Sequence, residues 1–451
     1  MGWVRHLSAT LPDPPEVLGG KAHGLVLLHR LGLPVPAGVV VITDACRAFL
    51  ADGTLPDGLT DELATAVETL GASMVSVRSG AAVSMPGMMD TVLNVRPTPG
   101  TLAEALKSVF SSWNTPRART YRTLHGIPHD LGTAVVVQRM VFGDRDSRSG
   151  SGVAFSHDPN TGEKVPFGEV LFGHQGSEVV SGRALTLPLR ELDREPGVWQ
   201  GLQDALVRVE QHYRDACYVE FTYESGTLWL LQVRPGKFTG AAAVRLATDL
   251  ADEGAITRAE ALLRVAPHHL QHVRTPRITP DADAIARGLG VCPGVAAGRV
   301  AVTADEAVRL AVHGPVVLVR PETSPDDIRG LAAATGIVTA RGGPASHAAV
   351  VARSMGKPAV VGVADLVVGA DSVTLGGREV EVGAMVTIDG TSGVVVLGTP
   401  PVVTGGADAH LRRLLEWADE VSGDRSGRGE AERLAAARAV LGGGTGRSAA
   451  E

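Results

Sequence analysis

The sequence has little cysteine, little lysine and no long apolar run. Each of these features excludes some classes of protein. The cysteines, Cys46, Cys217 and Cys292, lie too far apart for a metal-binding pattern or a disulfide framework, so we expect buried, small apolar side chains. No apolar run approaches the roughly eighteen residues that a membrane-spanning helix needs. The N-terminal stretch has no signal-peptide core. We therefore expect a cytoplasmic protein without a membrane partner.

Positive charge is limited as well. Lysine and arginine total 42 against 49 acidic residues, which gives a formal net charge of -7. A nucleic-acid partner requires a basic surface, so this balance argues against that class of function. Lysines occur only at positions 21, 107, 164, 237 and 357. A site that needs an ammonium group therefore has few candidates.

What is present is a chain of 451 residues, 44% of them hydrophobic, which is enough for two or three domains. Helix and strand signals alternate over residues 1–237. Residues 238–285 are predicted to be a helical connector and linker, proline-rich at 274–281. Short valine-rich strands and short helices follow over 286–400, and residues 401–451 are predicted to hold one helix, Ala409–Val421, and a flexible tail. The predicted fold class is α/β and α+β, with several domains.

Local patterns predict individual elements in the first 237 residues. Apolar periodicity favours helices, and β-branched runs favour strands. A polar, glycine-rich loop is predicted over residues 143–152. The other elements expected there are helix Ala22–Leu31, strand Val39–Thr43, strand Ser73–Ser79, helix Leu102–Tyr121 broken at Pro116, strand Ala134–Phe142 and strand Val153–Phe155.

The most informative segment is GIVTARGGPASHAAVVARSMGKPAVVG, residues 336–362. It predicts a strand, a glycine-rich turn, Ser346 as N-cap, and a helix His347–Met355 that ends at Gly356. His347 would then lie in the first turn of a helix, where free amides and the helix dipole favour an anion. A neutral imidazole there can attack phosphorus and hold a phosphoryl group. A capping or packing role is the alternative for a histidine considered alone.

Two cationic side chains in the first segment suit a polyphosphate. Lys21 follows two glycines at the start of a helix, from which its ammonium can reach phosphate oxygens. Its alternative is a solvated surface lysine. Arg78 lies in an apolar strand, where its charge needs a phosphate or an internal carboxylate as partner. The loop Ser84–Asp90, with Gly87, supplies flexibility and backbone donors.

A β-hairpin is predicted from the strands CYVEFTY and TLWLLQV around the turn ESG. A three-residue turn, Glu224–Gly226, would place Glu220 and Gln232 on one face as diagonal neighbours. A carboxylate beside an amide oxygen suits magnesium, and Arg234 continues on that face. An amphipathic hairpin with a polar outer face is the alternative.

The histidine segment resembles the swivelling phosphohistidine domain of the pyruvate phosphate dikinase family, with its GG-x-x-x-H signature. The strings LGGKAHGLVLLHRLGLPVPAG and SVRSGAAVSMPGMMDTVLNV resemble the ATP-grasp-like nucleotide-binding domain of the same family. The resemblance covers roughly residues 10–421 in shortened form. It implies an enzyme that uses ATP as substrate and Mg²⁺ as cofactor.

The resemblance also implies roles for individual residues. His347 would be the catalytic phosphoryl carrier, in a loop formed by Arg341, Gly342, Gly343 and Ser346. The metal ligands would be Glu220 and Gln232. The residues implied to bind ATP or phosphate are Lys21, Arg78, Gly87, Gln138, Met140, Gly150, Gly152 and Arg234. Among these, AVVVQRMVFG would frame the adenine and RSGSGVAF would cover phosphates.

In the implied reaction His347 attacks the β-phosphorus of ATP and releases AMP, and inorganic phosphate then removes the terminal phosphate as pyrophosphate. Phospho-His347 would swing on the linker to its acceptor. A pyruvate-binding barrel needs about 250 residues, more than follow Glu420, so we expect pyruvate on a separate barrel protein or another small acceptor. A homodimer is a further candidate assembly.

Three positions depart from the family pattern. Tyr218 stands where the family has Asp, Ala82 where it has Arg, and Ala345 where it has Thr. Two alternatives follow: a water-dependent dikinase acting on a small metabolite or antibiotic, and a non-catalytic nucleotide-binding regulator.

Overall fold

The structure is a computed structural model. It describes residues 2–83, 85, 87–176, 186–236, 238, 240–270, 273–344, 346–404 and 409–444. Ser84 and Pro86 of the predicted phosphate loop, and Ala345 of the histidine loop, lie outside these residues.

The chain begins with a five-stranded antiparallel sheet of order β1-β2-β5-β3-β4. Its central strand reads AVVVQR and buries Val135, Val136 and Val137 completely. The strands are β1 (Val4–His6), β2 (Gly38–Val41), β3 (Val75–Gly80), β4 (Thr91–Val95) and β5 (Ala134–Arg139). The helices are α1 (Pro15–Arg30), α2 (Thr43–Asp52), α3 (Leu59–Glu68), α4 (Pro99–Ser112) and α5 (Pro116–Leu124).

A second antiparallel sheet follows, of order β10-β9-β6-β7-β8. Its strands are β6 (Gly150–Phe155), β7 (Phe167–Phe172), β8 (Leu187–Pro188), β9 (Cys217–Glu224) and β10 (Thr227–Pro235); the 3₁₀ helix Leu189–Arg194 and helix α6 (Pro196–Tyr213) lie between β8 and β9. Leu25 and Leu28 of α1 share one apolar core with both sheets and with α6. We call these two sheets and their helices the two-sheet unit.

The histidine unit is an eight-stranded sheet of order β12-β22-β21-β14-β15-β16-β17-β13, in which β14 to β17 run parallel. Its strands are β12 (Ala284–Arg287), β13 (Leu289–Cys292), β14 (Val295–Ala301), β15 (Val316–Arg320), β16 (Gly336–Thr339), β17 (Ala359–Val361), β21 (Met385–Asp389) and β22 (Val394–Leu397). Strands β18 (Val367–Val368), β19 (Ser372–Leu375) and β20 (Arg378–Glu381) form a small third sheet. The helices of the histidine unit are α10 (Ala304–Ala311), α11 (Ile328–Ala333) and α12 (His347–Met355), with the 3₁₀ turn Pro325–Asp327.

The remaining helices pack into one helical unit. They are α7 (Gly240–Asp252), α8 (Arg258–Arg264), α9 (Pro267–Leu270), α13 (Ala409–Ser422) and α14 (Glu430–Gly444). The chain passes between this unit and the histidine unit twice, through β11 (Pro276–Ile278) and β23 (Val402–Thr404), which pair antiparallel. The predicted linker is therefore one half of a two-stranded ribbon.

The predicted multidomain α/β and α+β class is confirmed, whereas several element limits differ. The first helix starts earlier than predicted because Pro15 can occupy its first turn. Pro116 starts a new helix rather than breaking one. A second helix, α14, occupies half of the tail beyond Val421, which the sequence predicts to be half helical and half flexible. Within the part of the chain that the structure describes, every helix is too short or too polar to cross a membrane.

Candidate active site

Lys21 owes its position to a break in helix α1. Gly19 leaves the helical path with φ 72° and ψ 158°. A β-carbon added there would lie 1.4 Å from the carbonyl oxygen of Gly80, at the end of β3. Gly24 allows the same helix to approach β10 closely, since an added β-carbon would meet the carbonyl oxygen of Val233 at 2.9 Å. The glycines of the sequence motif thus set Lys21 between the two sheets.

Arg78 is a buried arginine on β3. Its Nη2 donates to Gln138 Oε1 and, at 3.1 Å, to the carbonyl oxygen of Leu231. Gln138 is in turn held by its Nε2, which donates to the carbonyl oxygen of Pro36 at 2.8 Å. Within the described residues, Nε of Arg78 has no hydrogen-bond partner. Gln138 therefore positions Arg78, and the arginine retains a donor for a further acceptor.

The hairpin brings Glu220 and Gln232 together in a way the sequence reading did not predict. Its turn has two residues, Ser225 and Gly226, both with positive φ, so the predicted three-residue turn is wrong. A regular ladder from that turn would place Gln232 and Glu220 on opposite faces. A register shift after Leu230 adds one residue and makes them direct cross-strand partners. The predicted diagonal relation is thus replaced by a closer one.

Tyr218 lies on the same face of the hairpin as Glu220. Its hydroxyl donates to Glu220 Oε1 at 3.3 Å. The guanidinium carbon of Arg234, its cross-strand partner, lies 4.2 Å from the tyrosine ring centroid. Burial and the neighbouring carboxylate raise the pKa of Tyr218, so its hydroxyl stays protonated. The tyrosine therefore contacts both functional side chains beside it.

Lys21, Arg78, Arg234 and Glu220 form one electrostatic cluster. Burial, followed by the charge of Arg78, lowers the pKa of Lys21 to about 7, while Glu220 acts in the opposite direction. Burial also lowers the pKa of Arg78. Three cationic groups share one carboxylate, so we call them the three-cation site. Such an imbalance favours a multiply charged anion.

We expect nucleotide binding to take up protons between pH 7 and 8. The Lys21 ammonium is half deprotonated near pH 7, and a bound polyphosphate would raise its pKa again. The affinity for an ATP analogue should therefore fall as pH rises through this window, by up to roughly tenfold per pH unit. Calorimetry in buffers of different ionisation enthalpy measures the uptake. Lys21→Arg, which stays charged, should abolish it; equal uptake in both proteins would contradict the assignment.

The histidine loop matches its sequence prediction closely. Helix α12 spans His347–Met355. Ser346 Oγ accepts from the Ala349 amide at 3.4 Å and donates to the carbonyl oxygen of Gly343 at 2.8 Å. Gly356 ends the helix in the left-handed conformation. The predicted N-cap, helix and C-terminal glycine are confirmed.

The imidazole of His347 is buried and presents one free nitrogen. Its Nδ1 lies 3.2 Å from Thr323 Oγ1, and its Nε2 has no partner among the described residues. Burial lowers the pKa of His347 to about 4; Asp327 opposes this and Arg117 reinforces it. The ring is therefore neutral near pH 7. With Nδ1–H donating to Thr323, the lone pair on Nε2 is available for attack.

Thr323 was not singled out from the sequence, and a substitution tests its role. Thr323→Val removes the hydroxyl at nearly constant volume and should slow phosphorylation of His347 about tenfold, the equivalent of one buried hydrogen bond. Thr323→Ser should retain most of the rate, and the affinity for the ATP analogue should not change. Quench-flow measurement of label on the protein gives the rate. A Val variant as fast as wild type would contradict the role.

The histidine unit packs with His347 against the predicted phosphate loop. A β-carbon added at Gly87 would lie 3.1 Å from Cδ2 of His347. Met88 and Trp113 of the two-sheet unit share an apolar core with Ile328 and Ala349 of the histidine unit. The structure therefore brings together two motifs separated by about 260 residues of sequence.

Arg117 on α5 holds this loop from the other side. Its Nη2 pairs with Asp90 at 2.6 Å, and its Nε donates to the carbonyl oxygen of Met88 at 3.2 Å. Its Nη1 lies 3.9 Å from Asp326, just before helix α11. Arg117 thus contacts both units. In the sequence, Arg117 lies within the predicted helix Leu102–Tyr121 and is not among the candidate site residues.

Other predicted binding residues have structural explanations. Gly150 and Gly152 lie in strand β6, so the predicted loop ends before them. Added β-carbons would meet Tyr223 Oη at 2.4 Å and Phe221 Cζ at 2.5 Å. Both glycines make room for aromatic rings, and the predicted loop limit of residue 152 is wrong. Their contact with phosphate stays a prediction.

Met140 and Arg341 lie at the margins of the site. The Met140 amide donates to the carbonyl oxygen of Met74 at 3.0 Å, so this amide is already engaged. Arg341 has 60% of its side chain exposed and lies 3.5 Å from Glu322. Gly342, with φ 96°, supplies the turn into the histidine loop.

The hairpin carries the candidate ligands for a metal ion. No group of three or more His, Cys, Asp or Glu side chains suited to a metal occurs in the described parts of the chain. Glu220 and Gln232 supply one carboxylate and one amide oxygen. Magnesium takes such hard oxygen ligands and fills its other positions with phosphate and water, so the pair fits a nucleotide-associated magnesium ion.

Comparison with known proteins relates two segments of the chain to known families. Residues 51–186 match the family described as pyruvate phosphate dikinase, AMP/ATP-binding domain, and residues 312–393 match the PEP-utilising enzyme, mobile domain. Pyruvate, phosphate dikinase of Rhizobium meliloti is 36% identical, with 94% of this chain and 60% of that protein covered. This chain belongs to the pyruvate phosphate dikinase family.

Other family members give the same picture. The enzyme of Clostridium symbiosum is 34% identical over 93% of this chain and 60% of its own length, and the chloroplastic enzyme of Flaveria trinervia is 34% identical over 90% and 54%. The chain thus spans little more than half of these dikinases. Among solved structures, D-cycloserine synthetase DcsG overlaps 54% of the chain at 14% identity with a TM-score of 0.29, which carries no argument.

Proposed function

We propose that this chain carries out the ATP-dependent half of a dikinase reaction and forms phospho-His347. One observation carries the proposal. The buried Nε2 of the neutral His347 has no partner among the described residues and lies at the loop of Gly87. That loop belongs to the two-sheet unit, which also holds the three-cation site. A nucleophile and an anion-binding site in one protein are what phosphoryl transfer requires.

In the proposed reaction the Nε2 lone pair of His347 forms a bond to the β-phosphorus of ATP. The bond from that phosphorus to the bridging oxygen of the α-phosphate breaks, and AMP leaves with the electron pair. Inorganic phosphate then attacks the terminal phosphorus, pyrophosphate departs, and phospho-His347 remains. Thr323 holds the proton on Nδ1 throughout. Rotation about the β11–β23 ribbon would carry the group to its acceptor.

The three-cation site would hold the triphosphate. Lys21 approaches as a compact ammonium, whereas Arg78 and Arg234 offer planar guanidinium donors. A magnesium ion, when bound, would neutralise phosphate charge beside Glu220 and Gln232. The adenine would lie beyond Met140, along the end of β5. We propose pyruvate, on a separate barrel protein, as the final acceptor.

Labelled ATP tests this proposal. The full-length protein is incubated with magnesium and either β-labelled or γ-labelled ATP, with and without phosphate. Acid-labile β-label retained after phosphate is added, with γ-label released as pyrophosphate, would support the proposal. Release of γ-label as phosphate without added phosphate would favour a water-dependent dikinase. Tight nucleotide binding without label on the protein would indicate a regulator and reject the proposed reaction.

A further inference from the structure

Four side chains form a row across the boundary between the histidine unit and the second sheet. The guanidinium carbon of Arg353, on α12, lies 5.7 Å from the ring centroid of Phe155 on β6. The Phe155 ring packs on Tyr218 with centroids 4.9 Å apart. Tyr218 carries Arg234 at 4.2 Å. The row therefore runs from one cation through two aromatic rings to a second cation.

The two ends of the row belong to different parts of the machinery. Arg353 lies on the helix that begins at His347, and its Nη2 donates to the carbonyl oxygen of Pro344 in the histidine loop at 2.6 Å. Arg234 is a member of the three-cation site. A displacement of Arg353 or Arg234 would shift the two rings between them, because these rings are closely packed. Phe155 is 4% exposed and Tyr218 is 3% exposed.

The charges give the coupling its sign. Burial lowers the pKa of Arg353 to about 10, and the neighbouring cation Arg234 acts in the same direction, while Cys292, Tyr218 and Glu169 act in the opposite direction. An anion on Arg234 would relieve this repulsion and favour the docked Arg353. By linkage, docking would then favour the anion to the same extent.

A tyrosine suits this position better than a carboxylate. The ring face attracts Arg234 while leaving the in-plane N–H donors free for phosphate oxygens. A carboxylate would instead occupy those donors in an ion pair. The hydroxyl of Tyr218 adds a second contact, since it donates to Glu220 at 3.3 Å.

We propose that Tyr218 is a positioning residue that couples docking of the histidine unit to the placement of Arg234 on nucleotide phosphates. The inference rests on the proposed function, because it takes the three-cation site as the phosphate site. It adds a route by which a bound nucleotide retains His347 at the loop of Gly87.

The test is a double-mutant cycle on the full chain. Calorimetry with magnesium measures the affinity for α,β-methylene-ATP, whose α–β bridge cannot be cleaved, in wild type, Arg353→Gln, Tyr218→Leu and the double variant. Arg353→Gln should weaken binding about tenfold, although the residue lies in the other unit. In the Tyr218→Leu background the same change should have an effect of less than about twofold. Tyr218→Phe should keep the coupling.

A matched control separates this coupling from general effects. Arg258→Gln removes an arginine stacked on Trp417 at 5.2 Å in the helical unit and should leave binding unchanged. Unchanged nucleotide binding in Arg353→Gln, or additive effects in the cycle, would overturn the proposed coupling but not the proposed function. Absence of α,β-methylene-ATP binding to wild type would overturn the proposed function and the inference with it. If Tyr218→Leu does not fold, the nucleotide affinity of Arg353→Gln compared with that of the Arg258→Gln control decides whether the coupling exists.

Discussion

Replacing His347 by asparagine is expected to abolish acid-labile labelling by β-labelled ATP, with a loss of more than roughly a thousandfold. Asparagine fills a similar volume and can still bond to Thr323, but its amide nitrogen has no lone pair for attack on phosphorus. The affinity for α,β-methylene-ATP should stay within about threefold of wild type, because the three-cation site is intact. Filter-retained label and calorimetry measure the two quantities. Label on the variant equal to wild type would rule out His347 as the carrier.

His313→Asn is the matched control, since His313 is an exposed histidine of the same unit. It should keep full labelling.

A second measurement, of stability against pH, does not depend on catalytic activity. Burial lowers the pKa of His347 to about 4, below the unfolded value near 6.5, so wild type loses stability as pH falls through this window. His347→Asn should lack that component in denaturant titrations between pH 7 and 4.

The histidine loop was predictable because its determinants are local. The cap at Ser346, the glycine after Met355 and the apolar spacing between them lie within a few residues of one another. Thr323 is 24 residues away in the chain, and no local signal links it to His347. The link comes from the sheet: β15 and β16 are parallel neighbours, so the segments that leave their carboxyl ends meet at one edge.

The hairpin shows a different limit. Residue types predicted the functional face, but the pairing of Glu220 with Gln232 depends on one extra residue in β10. Such a bulge is set by packing on the surrounding sheet rather than by the turn sequence. Gly150 and Gly152 were misread for a related reason. A glycine that makes room for an aromatic ring and one that makes room for a phosphate look the same in a sequence.

The docked interface between the two units could not be read from the sequence at all. Met88 and Ala349 are fully buried in a core that belongs to both units. Such apolar residues would be assigned to the interior of either domain alone. In the proposed reaction the histidine unit leaves this core in every turnover, so the stability of docking has to be small enough to reverse. The contacts of the histidine loop with β7 set part of that balance.

Gly343→Ala is expected to block docking and to reduce labelling of His347 about tenfold to a hundredfold, in line with the cost of overpacking a filled interface. An added β-carbon would lie 1.3 Å from Oε1 of Glu169 on β7. That carboxylate is 3% exposed and accepts from Thr186 at 2.9 Å, so it cannot turn aside without breaking a partly buried hydrogen bond. Binding of α,β-methylene-ATP should persist, only weakened.

A compensating change makes this prediction specific. Glu169→Asp shortens the opposing side chain while keeping its charge, and in the Gly343→Ala background it should restore most of the labelling. Gly197→Ala, where an added methyl group meets no atom within 4 Å, is the control and should behave as wild type. Failure of rescue together with a lowered melting temperature would mean that Gly343 is required for the fold of its own unit. Rescue at unchanged stability would mean that the bare backbone at Gly343 is needed where His347 meets the two-sheet unit.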